Sequence, residues 1–251
     1  MIKFFRKIRQ KLLSENKFSK YLLYAFGEIV LVVIGILIAL QINNLNEKRI
    51  ASEQSRIYLK NLDEEINQNI RIIESIGKNI NKLTEISHHY HSKLYNRTTD
   101  VHDSVINNFI LKINPIFTFN PSQTVLKDFV SSGYLKEIKD DKLKKNIQLL
   151  ESHYKFINNL YEQINNQYNN QIQPYLMKYG DYTMIVDSIY QYKVRKAEFG
   201  HSREAFFNNK TLSNQLLWYY AYLRETNEII VDGRNKGFKR LSNNIKEYLK
   251  Y

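Results

Sequence analysis

A chain of 251 residues with 43% apolar content can bury a substantial core, and its 8 Gly and 3 Pro are too few for the tight turns of a sandwich or barrel, so an all-α fold is expected. Zero cysteines exclude disulfides, thiolate metal sites, cysteine nucleophiles and a lipoprotein anchor. Half of the net charge of +12 falls in residues 1–20, and the rest is mixed with acidic residues without a basic stripe interleaved with stacking aromatics, so no nucleic-acid partner is expected.

Residues 1–20 carry Lys3, Arg6, Lys7, Arg9, Lys11, Lys17 and Lys20 against Glu15 alone. Phe4, Phe5, Ile8, Leu12 and Leu13 fall at helical spacing, with Lys3, Arg6, Lys7, Arg9 and Lys11 largely opposite, as in a basic amphipathic helix lying on an anionic membrane surface. A solvated basic leader that only fixes topology explains the same residues. From Tyr21 to Ile42 the chain reads YLLYAFGEIVLVVIGILIALQI, with Glu28 as its one charge. At about 1.5 Å per residue this run covers roughly 33 Å, enough for a hydrocarbon core of about 30 Å. The excess of basic residues before it, compared with Lys48, Arg49, Arg56 and Lys60 after it, places the N-terminus in the cytoplasm. A cleaved signal peptide fits less well, because Leu37 occupies the −3 position before Ala39 and no A-x-A pattern occurs.

Within the span Glu28, Gly35 and Ala39 fall on one helix face, and Gly35 and Ala39 form a small-xxx-small pair that admits a second helix. A carboxylate in a span is expensive, so Glu28 is a candidate for hydrogen bonding to a twin, pairing with another subunit or carrying protons; snorkelling to the near interface is the alternative without a role.

Residues 3–44, KFFRKIRQKLLSENKFSKYLLYAFGEIVLVVIGILIALQINN, resemble the N-terminal signature of a family of single-pass membrane proteins of unknown function from Gram-negative bacteria, and SSGYLKEIKDDKL at 131–143 continues the likeness. Leu45 stands where the family's boundary stretch carries tryptophan. The resemblance implies an inner-membrane anchor, a periplasmic helical domain and no activity.

The domain reading is therefore a cytoplasmic basic segment over 1–20, a transmembrane helix over 21–42 and a periplasmic antiparallel helical bundle over 43–251. Leu62, Ile66, Ile70, Ile73, Ile80, Leu83, Tyr90 and Leu94 step by threes, fours and sevens, so the spanning helix continues as a long stalk until Thr98–Asp100. A helix over about Val101–Ile113 ends at Asn114-Pro115. In the next helix Asn120 is the expected cap, Pro121 the first helical residue and Gly133 the left-handed stop. Asp140 or Asp141 caps a helix with Leu143, Ile147, Leu150, Tyr154, Ile157, Tyr161 and Ile164 on one face, running until Pro174. The stretch Tyr182–Tyr192 reads equally as helix or strand, and residues 115–202 read as part of the bundle or as a small head. A last helix from Thr211 carries Leu216, Leu217, Tyr220, Leu223, Ile230, Phe238, Leu241, Ile245 and Leu249.

Candidate chemistry is sparse. Glu85 and His88 have the Glu-x-x-His spacing of di-iron bundles, repeated formally by Glu198 and His201, and His88 with His91 offers a weaker pair of metal ligands; solvated histidines are the simpler reading. Asp63-Glu64-Glu65 reads as a solvated helix face, and the aromatics around Trp218, Tyr219, Tyr220 and Tyr222 read as packing. No phosphate-binding glycine loop, H-E-x-x-H pair or G-x-S-x-G elbow occurs, and no cofactor is expected. The leading functional reading is a membrane-anchored interaction or sensor-like module without catalysis, partnered by the bilayer and by a second copy or other membrane subunits. The alternatives are a subunit of an ion-coupled or transport complex using Glu28, and a metal-dependent bundle enzyme.

Overall fold

The computed structural model describes residues 18–95, 102–115, 117–183, 185–186 and 199–250. Its regular elements are all helical, with no strand among the described residues. They are α1 (Phe18–Tyr95), α2 (Asp103–Lys112), α3 (Thr124–Ser131), α4 (Asp141–Gln148), α5 (Leu150–Gln167), α6 (Gln173–Tyr179), α7 (Arg203–Phe206), α8 (Lys210–Asn227) and α9 (Asn235–Lys250). A 3-10 turn, Tyr134–Glu137, follows α3, and π turns at Tyr168–Ile172 and Glu228–Arg234 join α5 to α6 and α8 to α9.

The chain divides into two compact units, residues 1–55 and 56–251. In the first, the described part is the beginning of α1. An 18-residue window here has a mean hydropathy of 2.5 and none of it is buried, and the helix is long and apolar enough to cross a membrane. Leu31, Val32, Ile36, Leu37, Ile38 and Leu40 are each more than half exposed, so apolar side chains surround the helix instead of forming one stripe.

In the second unit apolar periodicity becomes a single stripe, and the predicted positions Leu62, Ile66, Ile70, Ile73, Ile80, Leu83, Tyr90 and Leu94 are all buried. Side-chain bonds set the direction of its neighbours. Asn67 bonds Ser242, Glu74 pairs with Lys239, Asn81 with Asn227 and His91 with Ser213, so α8–α9 descends as α1 ascends. The leg from α2 to α3 also descends: Tyr90 packs on Phe109 near its start, and Tyr58 stacks on Phe129 near its end. The α4–α6 leg climbs again, antiparallel to α8–α9, with His153 against Arg234 and Tyr222 donating to Gln163. The result is an up-down-up-down bundle around one core, and the described parts of 115–202 share it.

The second leg is helical only at its ends. Residues 113–115 and 117–123 are not helical, and the expected start at Asn120-Pro121 gives way to Thr124. Its cap comes from another helix. Glu65, only 4% exposed, accepts from the Ser122 hydroxyl and from the backbone N–H groups of Val125 and Leu126 at 2.9, 2.9 and 3.2 Å. Asn69, one turn on, donates to the Ser122 carbonyl and accepts from its N–H at 2.8 and 2.9 Å. The Asp63-Glu64-Glu65 run is therefore not a uniform solvated face: Glu64 is exposed, Asp63 takes the Ser242 hydroxyl, and Glu65 is a buried cap. Gly133 closes α3 with a φ of +77°, and Asp140 caps α4 by accepting from the Leu143 N–H at 2.9 Å, both as the sequence indicates. Pro174 does not end its helix. The π turn before it absorbs the missing donor and the ring, and the chain stays helical to Tyr179. In α8 Leu217 is exposed and Tyr219 takes the buried position instead.

Glu65→Ala removes the acceptor of three donors, of which only the Leu126 N–H is on a buried residue, and should destabilise the fold by about 1–3 kcal/mol, whereas Glu65→Gln, which keeps one acceptor, should cost less; urea denaturation of the two variants checks the order.

Candidate functional site

The basic segment Lys3, Arg6, Lys7, Arg9 and Lys11 lies outside the described residues, as do Thr98–Asp100, Glu198 and most of Tyr182–Tyr192. The backbone of α1 is helical through Glu28, Gly35 and Ala39, which places them on one side of it. Gly35 and Ala39 are exposed, Glu28 is half-buried, and a Cβ added at Gly35 would meet nothing within 4 Å.

The histidines of α1 are not gathered into an inward-facing ligand set. Glu85 and His88 are exposed on the outer side of the helix, with His88 against the ring of Tyr220. His91 is half-buried, bonds the Ser213 hydroxyl at 2.9 Å and stacks on Tyr95; burial and the neighbouring His88 hold its pKa below the ordinary imidazole value. Among the described residues no three His, Asp or Glu side chains come together in a way that could hold a metal ion.

The best-organised polar cluster stands where α2, the end of α6 and the start of α7 meet. The Asp181 backbone N–H donates to His201 Nδ1 at 2.9 Å, and His201 Nε2 lies 2.7 Å from Asn107 Oδ1. A backbone N–H can only donate, so His201 is neutral, with its proton on Nε2 directed at Asn107. The Asp181 carboxylate accepts from the N–H and hydroxyl of Thr183 and from the Gly200 N–H, and these bonds, Thr183 foremost, hold its pKa low. Arg203 pairs with Asp103 at 2.6 Å beside it, and Ser202 N–H reaches the Tyr179 carbonyl. Together these bonds tie residues 199–203 to 179–183 and to α2. Gly180 belongs to the same packing, since a Cβ there would stand 2.6 Å from the Leu176 carbonyl oxygen and 2.8 Å from Ile110. Every polar atom named here has a partner, and the bonds act as a clasp between these segments. The sequence singled out His201 only as half of a Glu-x-x-His pair, and nothing in it pointed to Asn107, Asp181 or Thr183.

The aromatic run on α8 divides by burial. Tyr219 is fully buried, while Trp218, the only tryptophan, is 68% exposed on the rim of a shallow groove of about 450 Å³ lined by Asn166, Gln167, Asn170, Gln171, Asn214 and Gln215. No charged residue lines this groove, and Asn170 and Gln171 belong to the first π turn.

The pKa of His201 is depressed by burial, which outweighs the opposing pull of Asp103 and Asp181. The folded state therefore binds fewer protons than the unfolded one, and stability present above about pH 6.5 is lost as pH falls below it. His201→Asn, which keeps an acceptor for the Asp181 N–H, should show a shallower loss of stability between pH 7.5 and 5 than the wild type in parallel urea titrations.

No curated protein and no solved structure matches the chain. The profile of a family of unknown function, DUF6090, matches residues 28–179, from Glu28 in the apolar run to the end of α6, and the chain belongs to that family.

Proposed function

We propose that this protein is a membrane-anchored helical interaction or sensor-like module, with residues 1–20 in the cytoplasm, 21–42 across a bacterial inner membrane and 43–251 as a periplasmic domain. The observation that carries this reading is the all-round exposure of apolar side chains at the start of α1, in a chain whose other helices bury theirs along one stripe. Burying a large apolar side chain is favourable by roughly 1.5–3 kcal/mol, so more than a dozen left in water would be a heavy penalty that a hydrocarbon layer removes. The charge difference across the run supports the cytoplasmic placement of the N-terminus. The face of Glu28, Gly35 and Ala39 supports assembly with a second copy or another spanning helix.

The absence of cysteine makes orientation directly testable. In cells with a permeabilised outer membrane, Ser202→Cys, on an exposed residue, should react with an impermeant maleimide, and Ser14→Cys should react only after the inner membrane is opened; the reverse pattern overturns the placement. Gly35→Leu should lower the associated fraction of the detergent-solubilised protein several-fold in native mass measurements. An unchanged distribution would remove this face from the assembly.

A further inference from the structure

A second groove, of about 320 Å³, lies between α4–α5 and the turn into α9. Its rim carries Lys142, His153, Arg234 and Arg240, its floor is apolar with Leu150, Phe238 and Leu241, and no carboxylate lines it. Lysines nearby are neutralised by acids outside the groove, Lys236 by Asp232 and Lys239 by Glu74. Among the described residues Lys142, Arg234 and Arg240 have no ion-pair partner. Gathering three cations in one concavity without a counter-charge is unfavourable in the empty protein, and an anion relieves it.

Two of the basic groups are held in place. The Arg234 guanidinium lies over the Phe156 ring, 4.6 Å from its centroid, and its Nη1 is 3.2 Å from His153 Nδ1. The guanidinium can only donate, so His153 accepts at Nδ1 and carries its proton on Nε2. The His153 ring meets Phe238 edge-on at 6.3 Å, and burial together with Arg234 keeps the imidazole neutral at ordinary pH. Such fixed donors lose little entropy on binding an oxyanion.

The glycines at the mouth of this groove behave unlike the packed ones. At Gly77 a Cβ would stand 2.6 Å from the Val231 side chain, so that glycine is required by helix contact. At Gly237 a Cβ would meet nothing within 4 Å, and at Gly233 only the Glu228 carbonyl at 3.9 Å. Glycine weakens a helix by about 1 kcal/mol relative to alanine, and no neighbour demands it at these two positions. What they leave is open space beside Arg234, at the π turn that presents it, and π turns recur at functional sites.

We propose that this groove is a binding site for the phosphate group of a small ligand, with Arg234, Arg240 and Lys142 as charge partners, His153 Nε2 as a neutral donor, and the apolar floor taking the remainder of the molecule. The volume exceeds a bare phosphate ion and lies at the lower end of the range for small-molecule pockets. The inference holds whether or not α1 crosses a membrane, since every residue of the groove belongs to the second unit.

The test uses the full-length protein in a neutral detergent and phosphate-free buffer, with inorganic phosphate as the probe and the His153 imidazole proton signals as the readout. Phosphate should shift these signals saturably and raise the apparent pKa of His153, which an adjacent dianion favours in its charged form. Arg240→Gln and Lys142→Gln, both on the rim, should each weaken binding about tenfold without changing the melting temperature, while Lys178→Gln, elsewhere on the surface, should leave it unchanged. An equal shift with sodium chloride at matched ionic strength, or binding indifferent to both rim variants, overturns the proposal. Glycerol 3-phosphate and dihexanoyl-phosphatidylglycerol then identify the source: tighter binding of the monoester assigns a soluble phosphate ligand, and tighter binding of the diester assigns a lipid headgroup. Failure of all three probes to bind also overturns the site.

Discussion

The fold of the second unit turns on a carboxylate taken out of water. Glu65 is almost wholly enclosed, and a charge so placed is tolerated only where donors surround it. All three of its donors come from Ser122, Val125 and Leu126, about sixty residues further along the chain. The burial of the α1 stripe and the return of the second leg are thus one event, since neither Glu65 nor the N-terminus of α3 is satisfied alone. Asn69 adds a two-way bond to Ser122, and the hydroxyl of Tyr154, pushed up to about 12 by burial, bonds Asn69 in turn. The chain of contacts reaches a third leg through Tyr154, and Phe119 and Phe238 pack around that ring.

What the sequence made legible was whatever depends on local periodicity. The buried stripes of α1 and α5, the Asp140 cap and the Gly133 stop follow from residue type and spacing over one or two turns, and the structure has them where the pattern puts them. Features decided by distant partners were not readable. Asn120-Pro121 has the composition of a helix start, yet the helix begins only at Thr124, where Glu65 supplies the cap. Three adjacent acids look alike in sequence, and only the approach of α3 separates Glu65 from Glu64. Leu217 and Tyr219 differ by two positions, and it is the aromatic that turns inward, in step with Leu216 and Leu223 on the buried face. The basic groove draws on residues 142, 153, 234 and 240, which no linear motif joins.

The candidate residues separate in the same way. Glu28, Gly35 and Ala39 were visible because a charge or a small residue stands out within an apolar run, whereas the neutral His201 clasp and the Arg234–His153 pair exist only through tertiary contacts. Neither histidine belongs to a metal set, and in both the tautomer is fixed by a donor that cannot accept. The neutral imidazole that accepts a hydrogen bond is the same species that would ligate a metal, so residue type alone does not separate the two uses; in His201 and His153 the lone pair is taken by a donor from a neighbouring segment.

The two wide turns leave a mark in the spacing of the core. Buried residues recur every seven positions along α5, from Leu150 to Ile157 and Ile164, and from α8 into the second π turn, from Leu216 to Leu223 and Ile230, but Ile164 to Ile172 and Ile230 to Phe238 span eight. Each π turn therefore holds one residue more than an uninterrupted helix would need, and the extra residue is accommodated without rotating the faces on either side. Removing one residue from 228–234 would let an unbroken helix continue with the same faces inward, but it would change the direction in which Arg234 is presented, so the extra residue of this turn bears on the basic groove and not on the core.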